Sequence, residues 1–129
     1  MKPAVKRTDA AAESYTAERC YIAELSNTAE DPDVSIARAR VAPGVMTRWH
    51  RVVDTIERYV ILDGRGRVEV GTLPPAEVEP GDVVLIPASF PQRIANIGEQ
   101  DLVFLAICSP RFRPEAYEDM ENAPHGQAS

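Results

Sequence analysis

The chain predicts an all-β domain, an antiparallel sandwich or barrel. Three observations carry this: short β-favouring runs recur from about residue 20, proline and glycine punctuate them, and no amphipathic helix of ordinary length separates them. The runs span 20–25, 34–41, 46–52, 58–62, 67–70, 83–86, 93–96 and 102–108. Between them stand Pro43-Gly44, Asp63-Gly64-Arg65-Gly66, Pro74-Pro75, Pro80-Gly81 and Ile97-Gly98. At each, proline presets φ or glycine admits a positive φ, so the chain turns there.

Taken in order, residues 1–19 are rich in Ala, Glu, Lys and Thr without an apolar period, which predicts a mobile arm or at most a short helix that adds little to the core. The run at 20–25 is expected to be an edge strand, able to pair across a homodimer interface. Residues 35–41 read Ser-Ile-Ala-Arg-Ala-Arg-Val, an alternation that specifies which face is buried. The barrel is expected over 20–112. In the tail, 113–129, Pro114 can open one or two helical turns up to Glu121, and the last eight residues, including a solvent-exposed His125, are expected to lack structure.

With 129 residues and 44% hydrophobic content the chain suits one core. Its net charge of −6 is the wrong sign for phosphate backbones or anionic lipid, so neither nucleic acid nor membrane is an expected partner. The longest apolar stretches, 83–86 and 102–108, are far short of the roughly 20 residues of a spanning helix, and no apolar segment follows the basic residues at the start. A cytoplasmic location is the default expectation. Cys20 and Cys108 form no CxxC pair and read as reduced thiols. Arg38, Arg40, Arg48, Arg51, Arg111 and Arg113 read first as solvated strand-face side chains, and otherwise as partners for a small anionic ligand.

Residues 43–64 contain Gly44, His50, Glu57 and Gly64 at the spacing G-x5-H-x-H-x3/4-E-x6-G, with Val52 at the second histidine. Residues 80–96 follow G-x5-P-x-G-x2-H-x3-N at Gly81, Pro87 and Asn96, with Ser89 for its glycine and Gln92 for its histidine. Both stretches resemble the two motifs of the cupin superfamily, and the sixteen residues between them, 65–80, resemble the short spacing of compact microbial single-domain members. The resemblance covers about 34–108 and implies a double-stranded β-helix, or jelly-roll, barrel. It also implies a metal held by the two histidines and glutamate of the first motif and the histidine of the second, of which this chain keeps His50 and Glu57.

Residues two apart on a strand share a face, so His50 and Val52 point one way and Glu57, Tyr59 and Ile61 form a second inward row. His50, Glu57 and Gln92 are therefore the candidate ligands of a divalent transition metal (Fe, Mn, Ni, Zn or Cu), with Asp54 able to replace the lost imidazole. Glu57 and Tyr59 are the candidate catalytic groups, and Arg48, Tyr59, Gln92 and Cys108 the candidate substrate contacts. Glu57 must otherwise be paired, for which Arg48 and Arg93 are available. Tyr59, Phe104 and Trp49 are core or wall aromatics by default. The favoured function is a metal-dependent oxygenase or isomerase acting on a small organic molecule. The alternative is a metal-free small-molecule-binding or sensor barrel, suggested by the departures at Val52 and Gln92.

Overall fold

A computed structural model of the chain describes residues 1–9 and 12–121. Eleven strands run in order: β1 (Ser14–Tyr15), β2 (Tyr21–Ser26), β3 (Ser35–Val41), β4 (His50–Val52), β5 (Ile56–Asp63), β6 (Gly66–Val70), β7 (Ala76–Val78), β8 (Val83–Ile86), β9 (Gln92–Asn96), β10 (Leu102–Ser109) and β11 (Tyr117–Asp119). They form two antiparallel sheets, ordered β1-β2-β3-β10-β5-β8 and β11-β4-β9-β6-β7. No helix among the described residues is long and apolar enough to cross a membrane. The all-β expectation holds, and the inner faces of the two sheets bury one shared apolar core.

Strand parity sets that core. Glu57, Tyr59 and Ile61 face inward on β5, Gln92, Ile94 and Asn96 on β9, and Val84 and Ile86 on β8, while Val83 and Leu85 face out. Val41, Ile61, Ile86, Ile94 and Leu102 are fully buried, and the Tyr59 and Phe104 rings meet at 4.5 Å between centroids. Trp49 lies outside this core, with the Arg93 guanidinium over its ring. Asn96 is buried but fully employed: its Nδ2 donates to the Val41 and Gln100 carbonyls at 2.8 Å, and its Oδ1 accepts from the Gly98 N–H at 2.9 Å. It ties the end of β3 to the β9–β10 connection.

The expected turns form at Gly44, Gly64 and Gly81, all at positive φ. Ser89, where the motif has glycine, adopts φ +64°, and its hydroxyl accepts from the Asp54 N–H. Gly64 is the most constrained turn, because at φ +83° a Cβ there would lie 2.6 Å from the Asp101 carbonyl oxygen. Gly64→Ala is expected to cost about 2 kcal/mol or more, against about 1 kcal/mol for Gly81→Ala, which meets open space. Urea unfolding of the two variants checks this, and equal midpoints would contradict the steric argument.

Four expectations change. The segment expected as an arm is ordered against the barrel from β1, whose residues pair with Tyr21 and Ile22 and cover part of the edge that β2 was expected to offer. The strand expected at 46–52 is interrupted: Met46 makes one bridge to Ala95, the Thr47 hydroxyl accepts from the Ile94 N–H, and only β4 continues. The helical turns expected from Pro114 shrink to a 3-10 turn, Pro114–Ala116, followed by β11. Pairing with β4 wins there, reinforced by Arg48–Asp119 at 2.9 Å and Arg51–Glu118 at 3.0 Å. Strand β7 lies in the Pro-rich stretch that local propensity left unassigned, and pairs with β6. His125 and the tail beyond residue 121 lie outside the described residues.

Candidate functional site

The sheets bring the motif residues together. His50 on β4 lies opposite Gln92 on β9, and Glu57 on β5 lies opposite Cys108 on β10. Gln92, Glu57 and His50 are 1%, 6% and 3% exposed. A chain of hydrogen bonds joins Gln92 and Glu57 to Tyr59 and Cys108: the Tyr59 hydroxyl donates to Gln92 Oε1, Gln92 Nε2 donates to Glu57 Oε1, and the Cys108 thiol donates to Glu57 Oε2 at 3.6 Å. The carboxylate thus accepts on both oxygens and the amide uses both ends.

His50 is clamped differently. Its Nδ1 stands 2.7 Å from the Arg48 carbonyl oxygen, which only accepts, so Nδ1 carries the hydrogen and Nε2 is left for other partners. Glu18 Oε2 lies 3.5 Å from Nε2, an ion pair when the imidazole carries both protons, and the Tyr117 ring stacks on the imidazole at 5.1 Å. Burial raises the carboxyls of both Glu18 and Glu57 above the ordinary range. The His50 charge opposes the shift at each, and the Gln92 hydrogen bond opposes it further at Glu57. Burial likewise raises both thiols, with the nearby Glu18 charge taking Cys20 up to about 12 and Glu57 acting on Cys108, so both remain protonated at neutral pH.

Beside this centre opens a pocket of about 320 Å³, walled by Ile22, Ala37, Ala106 and Phe112, with Glu18, Glu24, Glu57, Cys108 and Tyr117 on its lining. Ala37 and Ala106 are cross-strand partners, and their small side chains leave the space. A cleft of about 40 Å³ leads on toward His50 and Tyr59, with Glu18, Glu57 and Tyr117 lining both spaces. Among the described residues, neither space is lined by an arginine or lysine.

Of the expected site residues, His50, Glu57, Gln92, Tyr59 and Cys108 are brought together. Arg48 is not, because its guanidinium turns outward to Asp119 and Glu121. Arg93 pairs with Glu69 at 2.6 Å, so the alternative of an arginine partner for Glu57 is not realised and amide and thiol donors serve it instead. Asp54 occupies an exposed turn at φ +54°, away from the pocket, and does not replace the missing imidazole. Glu18 and Tyr117 carry no signal in the sequence: Arg19 at φ +70° breaks the parity that would relate Glu18 to Cys20, and β11 exists only through its partner.

A family model described as cupin domain matches residues 37–108. The chain belongs to the cupin family. Among curated relatives of this cupin, an uncharacterized protein of Methanocaldococcus jannaschii is 37% identical over 87 residues, covering 67% of this chain and 66% of the relative. Oxalate decarboxylase of Bacillus subtilis is 29% identical over 106 residues, 79% of this chain but 26% of the relative. The chain therefore spans less than two thirds of the length of either. A solved structure described as a predicted oxalate decarboxylase from Thermotoga maritima superposes with a TM-score of 0.73 at 23% identity, covering 83% of this cupin and 99% of that chain, which shows the shared fold.

The family raises the question of a metal, and the donor set answers it locally. Gln92 presents its NH2, not its carbonyl oxygen, to Glu57, and no three His, Cys, Asp or Glu side chains among the described residues converge to hold an ion. The set His50, Glu57 and Gln92, as hydrogen-bonded, does not fit a resident metal.

Proposed function

We propose that this cupin binds a small organic molecule in the pocket beside Glu57 without a resident metal. The observation that carries this reading is the closed chain Tyr59–Gln92–Glu57–Cys108, which satisfies the buried carboxylate with hydrogen bonds, next to an open apolar pocket of about 320 Å³. The acidic lining sets the ligand's character. Glu18, Glu24 and Glu57 face a space with no arginine or lysine on its wall among the described residues, so a dianion such as oxalate is disfavoured and a neutral or cationic molecule favoured.

A second reading keeps a divalent metal, and with it oxygenase or isomerase chemistry. It is favoured by the clamp on His50: metal-bound imidazoles commonly donate their other N–H to a backbone carbonyl, as His50 does to Arg48. It requires the Gln92 amide to turn over, breaking its bonds to both Glu57 and Tyr59.

Elemental analysis of untagged protein, prepared without chelator and dialysed against single metals, separates the two. The first reading expects well below one metal per chain under every condition, no change in His50→Ala, and small-molecule binding that is lost when Ala37→Phe fills the pocket. Near-stoichiometric metal that disappears in His50→Ala would replace it with the second.

A further inference from the structure

The outer faces of the two sheets differ in kind. That of the β11-β4-β9-β6-β7 sheet carries the ion pairs Arg51–Glu118, Arg93–Glu69 and Arg67–Glu77, as a face that meets water does. The outer face of β3, β10, β5 and β8 carries apolar side chains instead. Val83 and Leu85 on β8 are 56% and 68% exposed, and Leu62 and Ile56 on β5 are 46% and 41% exposed. Their cross-strand neighbours Val60, Leu105, Ile107 and Ile36 continue the patch, half-buried on the same face. The sequence carries the same signal: 83–86 and 102–108, its longest apolar stretches, do not alternate, whereas a strand with one wet face does. This sheet is built to be covered on both sides, and the described residues leave the outer side open.

Size and register point to what covers it. Four strands about 4.8 Å apart, rising about 3.4 Å per residue, give a footprint on the order of 400 Å². Side chains standing out of that plane raise the accessible area to the roughly 600 Å² per partner at which stable interfaces begin. One row across β3, β10, β5 and β8 reads Arg38–Leu105–Val60–Val83, and another reads Ile36–Ile107–Arg58–Leu85. Within each row the arginine stands at the mirror position of an apolar side chain. A two-fold axis along the strands therefore turns each row back to front without setting an arginine on its own copy. Leu105 then meets Val60, and Ile36 meets Leu85. Arg38 meets Val83 at the rim, where its guanidinium stays in water, and Arg58, tied to the Ser109 hydroxyl at 3.0 Å, lays its stem over Ile107.

We propose that this face is a homodimer interface, with a second copy of the chain packed sheet on sheet about a two-fold axis that runs along the strands. Homodimer interfaces are the most apolar class, which matches a face whose centre is Leu105 and Val60. The strand edge at β2, expected from the sequence to pair across a dimer, is partly covered by β1, and the interface lies on the outer face of β3, β10, β5 and β8 instead.

Sedimentation equilibrium of the full chain across micromolar concentrations tests this, and the parent is expected to run at twice the chain mass. Leu85→Ser is expected to weaken the dimer about a hundredfold, because the leucine is exposed in one chain and buried twice in the dimer. Val83→Arg sets a guanidinium opposite Arg38 of the second copy and is expected to weaken it about a hundredfold as well, whereas Val83→Glu keeps the dimer. Adding Arg38→Glu to Val83→Arg is expected to restore it. Circular dichroism of each variant verifies that the sheets are intact. A parent that stays monomeric would overturn the proposal and give the face to a different protein. A dimer indifferent to both Leu85→Ser and Val83→Arg would also overturn it, placing the interface elsewhere. Equal losses in Val83→Arg and Val83→Glu, with no rescue by Arg38→Glu, would overturn the axis along the strands.

Discussion

Gln92→Leu is expected to destabilise the protein by about 3–5 kcal/mol, although leucine nearly matches the space. The amide is 1% exposed and mediates between two groups that do not otherwise meet a partner of their own: the Tyr59 hydroxyl, which donates to it, and Glu57 Oε1, which accepts from it. Leucine strands both. Glu57 keeps only the weak thiol donor of Cys108, and a buried carboxyl deprived of its main donor loses the compensation for its desolvation. The coupling is testable by a cycle. Glu57→Leu combined with Gln92→Leu replaces carboxylate and amide together by apolar groups, and the double variant is expected to be about 2 kcal/mol more stable than the sum of the single losses predicts. Denaturant unfolding measures all four proteins. A loss below about 1 kcal/mol in Gln92→Leu, or strict additivity, would mean that the amide fills space and does not mediate a network.

Stability should also fall as pH rises across the upper carboxylate range. Burial raises Glu57 and Glu18 in the folded protein above their unfolded values, so over the intervening pH window the folded state holds protons that the unfolded chain has released. A raised folded value gives a contribution that is complete below the unfolded value and lost as pH climbs through the folded one. Glu13 and Asp119 act oppositely: hydrogen bonds from Arg40 at Glu13, and from the Glu121 backbone at Asp119, lower them, and their contributions are lost on the acid side as pH falls. Glu57→Gln retains an oxygen that can accept from Gln92 but carries no charge. It is expected to flatten the decline and to gain most over the parent on the alkaline side of the raised Glu57 carboxyl, with little gain below the ordinary carboxylate range. Unfolding free energies measured across that range decide it; parallel curves for the two proteins would show that Glu57 is not the titrating group.

Much of the barrel could be read before any contact was known, because it depends on neighbours along the chain. Side-chain alternation put Glu57, Tyr59 and Ile61 on one face, and all three are buried. Gly44, Gly64 and Gly81 occupy the positive-φ turns their spacing suggested. The resemblance to the two cupin motifs implied that His50 and Gln92 converge, and they face each other across β4 and β9. Strands β1, β7 and β11 escaped this reading. They are two or three residues long, and their pairing is decided by an available edge or a cross-strand charge such as Arg51–Glu118, not by local propensity.

The site divides in the same way. Sequence by itself determined the inward row and the substitution of an amide and a valine for two imidazoles. Only the tertiary structure decided that Glu57 is satisfied by Gln92 and Cys108 while Arg48 turns away to Asp119, and that Glu18 and Tyr117 meet at His50. The reason is physical: parity and turn geometry are set by backbone sterics over a few residues, whereas the partner of a buried charge is whichever donor the fold carries to it from elsewhere in the chain.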